Sequence, residues 1–156
     1  MQDFSPPRTD SAAQPSVDDV MPPRAGVLVY FAVISGLLAG FFGVADAIQL
    51  YLMVNFHVWW MAYLPYLFAL LAGGVLVCAG LTLRLQAVPA ILLAVLCVLQ
   101  VLIVLPWQIY AILVPMFDPM GLIWLALSLP AAALAPFAVP KAIEATNYRR
   151  RLLEGL

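Results

Sequence analysis

The chain has 156 residues, 65% of them apolar and only 10% charged, with a net charge of −1. A soluble domain averages roughly 45–50% apolar and about 25% charged residues, so no water-soluble fold of this length hides so much apolar side chain. Lipid is the expected solvent. Three charges, Asp46, Arg84 and Asp118, fall between residues 25 and 140. The clustered basic face that a nucleic-acid binder needs is missing there.

Residues 1–24 read as a disordered cytoplasmic tail. Five prolines (Pro6, Pro7, Pro15, Pro22, Pro23) are mixed with Ser, Asp and Gln, and the large apolar residues are Phe4, Val17, Val20 and Met21. Such a segment buries too little to offset its ordering entropy. It lacks the short apolar core behind a basic start that marks a secretory signal.

Residues 25–140 read as a four-span membrane domain, an all-α bundle with spans at about 26–54, 60–83, 88–114 and 120–140. In the first span, Ala32, Gly36, Ala39, Gly40, Gly43 and Ala47 fall on one helical face. That small-residue strip lets another helix approach almost backbone to backbone. Asp46 sits at its edge. Counted from Val27, a span of about 20 residues ends close to Asp46, which places the acid near an interface rather than at the midplane. Residues 47–56, with Gln49 and Asn55, either project beyond the bilayer or let the helix tilt.

Residues 55–63 form a short turn rich in aromatics, with His57 among Phe56, Trp59, Trp60 and Tyr63. Trp and Tyr favour the headgroup level. The second span takes Ala69, Ala72, Gly73 and Gly80 as small packing positions and ends at Arg84. Pro65 lies in its opening turns, where a missing N–H costs least. The third span is a run of Leu, Val and Ile interrupted by Gln100, read as an interhelical hydrogen-bond partner. Pro106-Trp107-Gln108 kinks or ends the regular part, and Asp118-Pro119 makes the next turn. Pro130 and Pro136 predict a bent fourth span, since neighbours can satisfy the freed carbonyls.

Residues 141–156 read as a basic, amphipathic cytoplasmic tail, a short helix along the headgroups. Ala142, Ile143, Ala145, Leu152, Leu153 and Leu156 alternate with Lys141, Glu144, Arg149, Arg150 and Arg151. The three arginines are either plain anchoring charge or a site for acidic lipid headgroups. With four spans, all seven Lys and Arg residues (Arg8, Arg24, Arg84, Lys141, Arg149, Arg150, Arg151) fall on one side. The positive-inside rule makes that side cytoplasmic. The expected setting is a cell inner membrane, bacterial and multi-pass, with both termini inside.

Cys78 and Cys97 lie in apolar segments without Cys-x-x-Cys spacing, so they read as small buried hydrophobes in the inner half. The outer half collects Asp46, Gln49, Asn55, His57, Gln108 and Asp118. From these, Asp46, Gln49, His57, Gln108 and Asp118 form the candidate polar cluster. One reading makes it an outward vestibule for a proton, a cation or a polar ligand, because an acid in a span is costly. The other leaves Asp46 at the interface with its head in water, and His57 and Asp118 as ordinary turn residues. One His with scattered carboxylates is no zinc set, and no nucleophile elbow, His-Glu-x-x-His or phosphate loop is present. No catalytic residue, cofactor or nucleic-acid partner is expected, and no inverted repeat of the transporter kind stands out.

The leading expectation is a non-enzymatic accessory or assembly subunit of a membrane complex, whose partners are the lipid bilayer, other membrane subunits or further copies of itself. The alternative is a small transporter or ion-conducting oligomer that uses Asp46.

Overall fold

The computed structural model describes residues 26–53, 59–114 and 118–154, and within them every regular element is helical. Four long helices follow one another: α1 (Val27–Met53), α2 (Leu64–Thr82), α3 (Ala87–Leu113) and α4 (Pro119–Glu154), with a short 3-10 turn at Trp59–Tyr63 before α2. All four are long and apolar enough to cross a membrane. The tail at 1–24 lies outside the described residues.

Each helix packs against its two neighbours around a ring: α1 on α2 and α4, α3 on α2 and α4. Contacts at the glycines of α1 set the directions. Gly36 lies against Ala79, Gly40 against Leu76 and Ala72, and Gly43 against Ala72, so α1 and α2 are antiparallel. Side-chain bonds from Ala87 to Thr146 and from Gln108 to Asp118 run α3 and α4 antiparallel in turn. The result is an up-down-up-down bundle in which α1 and α3 point the same way.

The small strip of α1 makes this packing possible. Ala32, Gly36, Ala39, Gly40, Gly43 and Ala47 are all buried. At Gly40 an added Cβ would stand 2.6 Å from Leu76 Cγ and 2.9 Å from the Ala72 carbonyl oxygen. At Gly43 it would stand 2.5 Å from Trp124 Cε2 and 2.7 Å from Ala72 Cβ. Gly73 is different. It is only partly buried, and an added Cβ there meets nothing within 4 Å; its neighbour Ala72 makes the contact.

The core has two layers. Near the α2–α3 turn it is aliphatic and small, with Val29, Ala32, Val33, Val75, Cys97 and Ala135 among its members. Near the α3–α4 turn it is aromatic: Phe68 meets Trp124 edge-on at 5.0 Å between ring centres and Trp107 at 6.2 Å. Each such pair adds about 0.5–1.5 kcal/mol beyond burial. Outside these layers large apolar side chains are exposed along every helix, as Leu70, Leu102, Ile112 and Phe137 illustrate. Water would not tolerate that surface.

The sequence ends the fourth span at residue 140 and starts a separate amphipathic helix; the structure instead carries α4 unbroken through Pro130, Pro136 and Pro140 to Glu154. The reason is register. Gly121, Trp124, Ser128, Ala131, Ala135, Ala138, Ala142 and Ala145 form one continuous buried stripe, while the three prolines sit at exposed positions. Packing of that stripe outweighs the freed carbonyls. Beyond it, Arg149 Nη2 donates to the Arg84 carbonyl at 2.6 Å and Thr146 Oγ1 accepts from the Ala87 N–H at 3.2 Å. The last turns of α4 thus clamp the α2–α3 turn, where Leu85 holds a left-handed φ of 50°.

Two glycine substitutions separate contact from propensity. Gly43→Ala forces atoms between α1, α2 and α4 and is expected to cost about 1–3 kcal/mol, as overpacking does. Gly73→Ala gains helix propensity and collides with nothing, so its thermal midpoint in detergent should equal or exceed the wild type's. Equal midpoints for the two variants would contradict the packing described.

Candidate functional site

Among the described residues, six polar or charged side chains are buried: Asp46, Thr82, Gln100, Gln108, Asp118 and Ser128. Two are spoken for within their own helices. Thr82 Oγ1 donates to the Cys78 carbonyl at 2.7 Å and Ser128 Oγ to the Trp124 carbonyl at 2.8 Å. The other four gather toward the α3–α4 turn and the middle of the bundle.

Asp118 is the first residue before α4, with Pro119 as the opening residue of the helix. Its Oδ1 accepts the Gly121 N–H at 3.0 Å, which makes it an N-cap with proline at the position best suited to it. Its Oδ2 accepts two more N–H groups, Gln108 Nε2 at 2.9 Å and Trp107 Nε1 at 3.4 Å, both from α3. Gly121 is part of this arrangement, since an added Cβ would run into Gln108 Nε2 and Asp118 Oδ2. One carboxyl therefore ties α3 to the start of α4 through three donors.

Asp46 is treated in the opposite way. It lies one turn past Gly43, on the face that Trp124 and Ala72 cover, and is 0% exposed. Neither of its oxygens has a hydrogen-bond partner among the described residues. Because α1 and α4 are antiparallel and Gly43 meets Trp124, one turn further along α1 brings Asp46 level with Gly121, the residue whose N–H the Asp118 carboxyl accepts. Two ionised carboxylates offer each other acceptors only, so a bond between them needs a proton. A lone buried carboxylate with no donor and no counter-charge is among the most costly groups a fold can hold.

Two more unpaired groups share this level. Trp124 Nε1 has no partner and lies against Gly43; both amide atoms of Gln100 are likewise unpaired. Because α1 and α3 run parallel and Gly36 meets Leu93, seven residues further on each helix brings Gly43 level with Gln100. Unpaired polar atoms from α1, α3 and α4 thus occupy adjacent layers. Exposure falls along the series, from 9% at Asp118 to 2% at Gln108 and 0% at Asp46 and Gln100. The polar thread runs from the α3–α4 turn inward.

The other sequence candidates add nothing to it among the described residues. Gln49 is half-buried, one turn beyond Asp46. His57 and Asn55 lie outside the described residues. Gln100, read from sequence as an interhelical hydrogen-bond partner, has none among the described residues. The arginines of the basic end are exposed, with Arg149 bonded to the Arg84 carbonyl and Arg150 paired with Glu154 at 2.8 Å. Sequence reasoning missed Trp107 as a donor, Trp124 as an unpaired indole and Gly121 as a capped amide. Only the last had a local signal, an acid directly before a helix-opening proline. Among the described residues no group of three or more His, Cys, Asp or Glu could hold a metal ion.

No protein-family model, curated protein or solved structure matches this chain.

The asymmetry between the two acids is measurable. Asp118→Ala removes the cap and leaves Gln108 without its acceptor, at an expected cost of about 1–3 kcal/mol. Asp118→Asn keeps an oxygen for Gly121 and should lose less. Chemical or thermal unfolding of both variants in detergent checks the order, and an Asp118→Ala protein as stable as wild type contradicts the bonding described.

Proposed function

We propose that the four helices cross a bilayer, a bacterial inner membrane, with both ends of the chain in the cytoplasm, and that the bundle is a small transporter or ion-conducting oligomer built on Asp46. One observation carries this reading: among the described residues Asp46 is wholly buried, has no hydrogen-bond partner, and lies level with Gly121, which the Asp118 carboxyl caps. In an apolar bundle such a group lowers stability and adds nothing to packing, so its use has to lie in binding something positive. The described cations support the orientation. Arg84, Arg149, Arg150 and Arg151 lie around the α2–α3 turn, at the opposite end from Asp118, and the positive-inside rule assigns that end to the cytoplasm. Asp118, the most exposed of the buried polar residues, is then the entrance from the outer side.

A second reading, an accessory subunit, rests on length. α1 and α3 each have 27 residues, about 40 Å of helix against a hydrocarbon core of about 30 Å. The excess on the outer side would pack on a partner. Size measurement after mild extraction separates the two: a stoichiometric foreign subunit supports the accessory role, and a homogeneous assembly of this chain alone supports the transporter.

Reconstituted vesicles test the first reading directly. Wild-type protein should move protons or monovalent cations down an imposed gradient, and Asp46→Asn should reduce that flux at least to about a tenth, a change of some 1.4 kcal/mol. Equal flux in both proteins, or none in wild type, would overturn it.

A further inference from the structure

The polar thread limits what the site can hold. Resting on the reading of Asp46 as an ion site, we propose that its ligand is a single proton, shared between the Asp46 and Asp118 carboxyls, and not a metal cation.

The donor geometry leads there. A carboxylate offers about four lone-pair positions. On Asp118 three are taken, by Gly121 N, Gln108 Nε2 and Trp107 Nε1. One remains, and the neighbouring group able to fill it is Asp46. Ionised, Asp46 can only accept; protonated, it becomes an O–H donor with one bond to give. Taking one proton from outer water forms the Asp46 O–H bond and the hydrogen bond to Asp118 in the same step. The pair then carries one negative charge instead of two, and that charge rests on the carboxyl already held by three N–H groups.

A metal ion finds poor footing. Calcium takes about 6–8 oxygen ligands and magnesium a near-ideal octahedron of about six. Here the two oxygens of Asp46 and one open position on Asp118 are available. Gln108 turns its Nε2 toward the site, and Trp107 and Trp124 can supply only N–H groups. These groups offer hydrogen rather than lone pairs. The buried layer at this end of the bundle is otherwise apolar, with Ala47, Leu50, Phe68, Ala72, Trp107 and Trp124.

The unpaired Trp124 Nε1 and Gln100 amide are an independent pointer to a ligand. They are wholly buried, lie at the level of the turn before Asp46 and have nothing to bond. Water satisfies such groups, and a few ordered waters there would link Asp46 to the middle of the bundle for proton exchange.

Infrared spectroscopy of the purified protein in lipid nanodiscs at neutral pH tests this. Wild type should show one protonated-carboxyl stretch, shifted in deuterated buffer and lost in Asp46→Asn. The band should be unchanged when choline is replaced by sodium, potassium, magnesium or calcium. Absence of the band at neutral pH, or its disappearance when one of those cations is added, overturns the proposal. The cation series needs wild-type protein only, so it decides even if Asp46→Asn folds poorly. The two readings fail separately: a cation-insensitive band without vesicle flux removes the transporter but keeps the shared proton, whereas flux with a cation-erased band does the reverse.

Discussion

The close approach at Gly43 governs this molecule. With no side chain there, the Trp124 indole and Ala72 lie almost on the backbone of α1. Three helices meet at that point, and the aromatic layer of Phe68, Trp107 and Trp124 closes over it. In lipid the helices gain nothing from leaving water, so contact of this kind has to hold the bundle together. The same contact fixes the fate of Asp46. One turn along the same face, it is drawn into the interior whether or not a partner waits there.

Among the described residues no donor does. The contrast with Asp118 shows that the fold is able to satisfy an acid when it needs one for structure. Asp118 caps α4, anchors Gln108 and Trp107, and so staples the α3–α4 turn. Asp46 staples nothing. Buried polar groups are nearly always bonded, and each exception calls for a reason. Here three exceptions, Asp46, Gln100 and Trp124, come from three helices and fall in adjacent layers. Independent accidents of packing would scatter them. The proposed ion site would account for their proximity, since stability is commonly given up where function needs it.

Much of the architecture could be read in the chain because it depends on local pattern. The apolar runs separated by Arg84 and Asp118-Pro119 mark out helices, and the spacing of Ala32, Gly36, Gly40 and Gly43 names the face that packs. Positions along the helix axis were legible; direction around it was not. Counting residues from Val27 puts Asp46 close to a membrane boundary, yet says nothing of whether it turns outward to water or inward to Trp124. That depends on α4, more than seventy positions away. The bond from Gln108 to Asp118 likewise requires the antiparallel pairing of α3 and α4. At the far end, Pro140 looks like a stop because a proline cannot donate, but the alanine stripe on the opposite side continues through it. Gly73 has the residue type of a packing position and the wrong azimuth for one.

The central claim is that the fold does not need the Asp46 carboxylate and bears a cost for it. Thermal unfolding of Asp46→Asn beside wild type at neutral pH, in the same detergent, measures this most directly. The side chains are nearly equal in volume, so packing is preserved while the ionisable group is removed. The midpoint is expected to equal or exceed that of wild type. A clearly lower midpoint would show that the carboxyl is a structural member of the bundle and would contradict that claim.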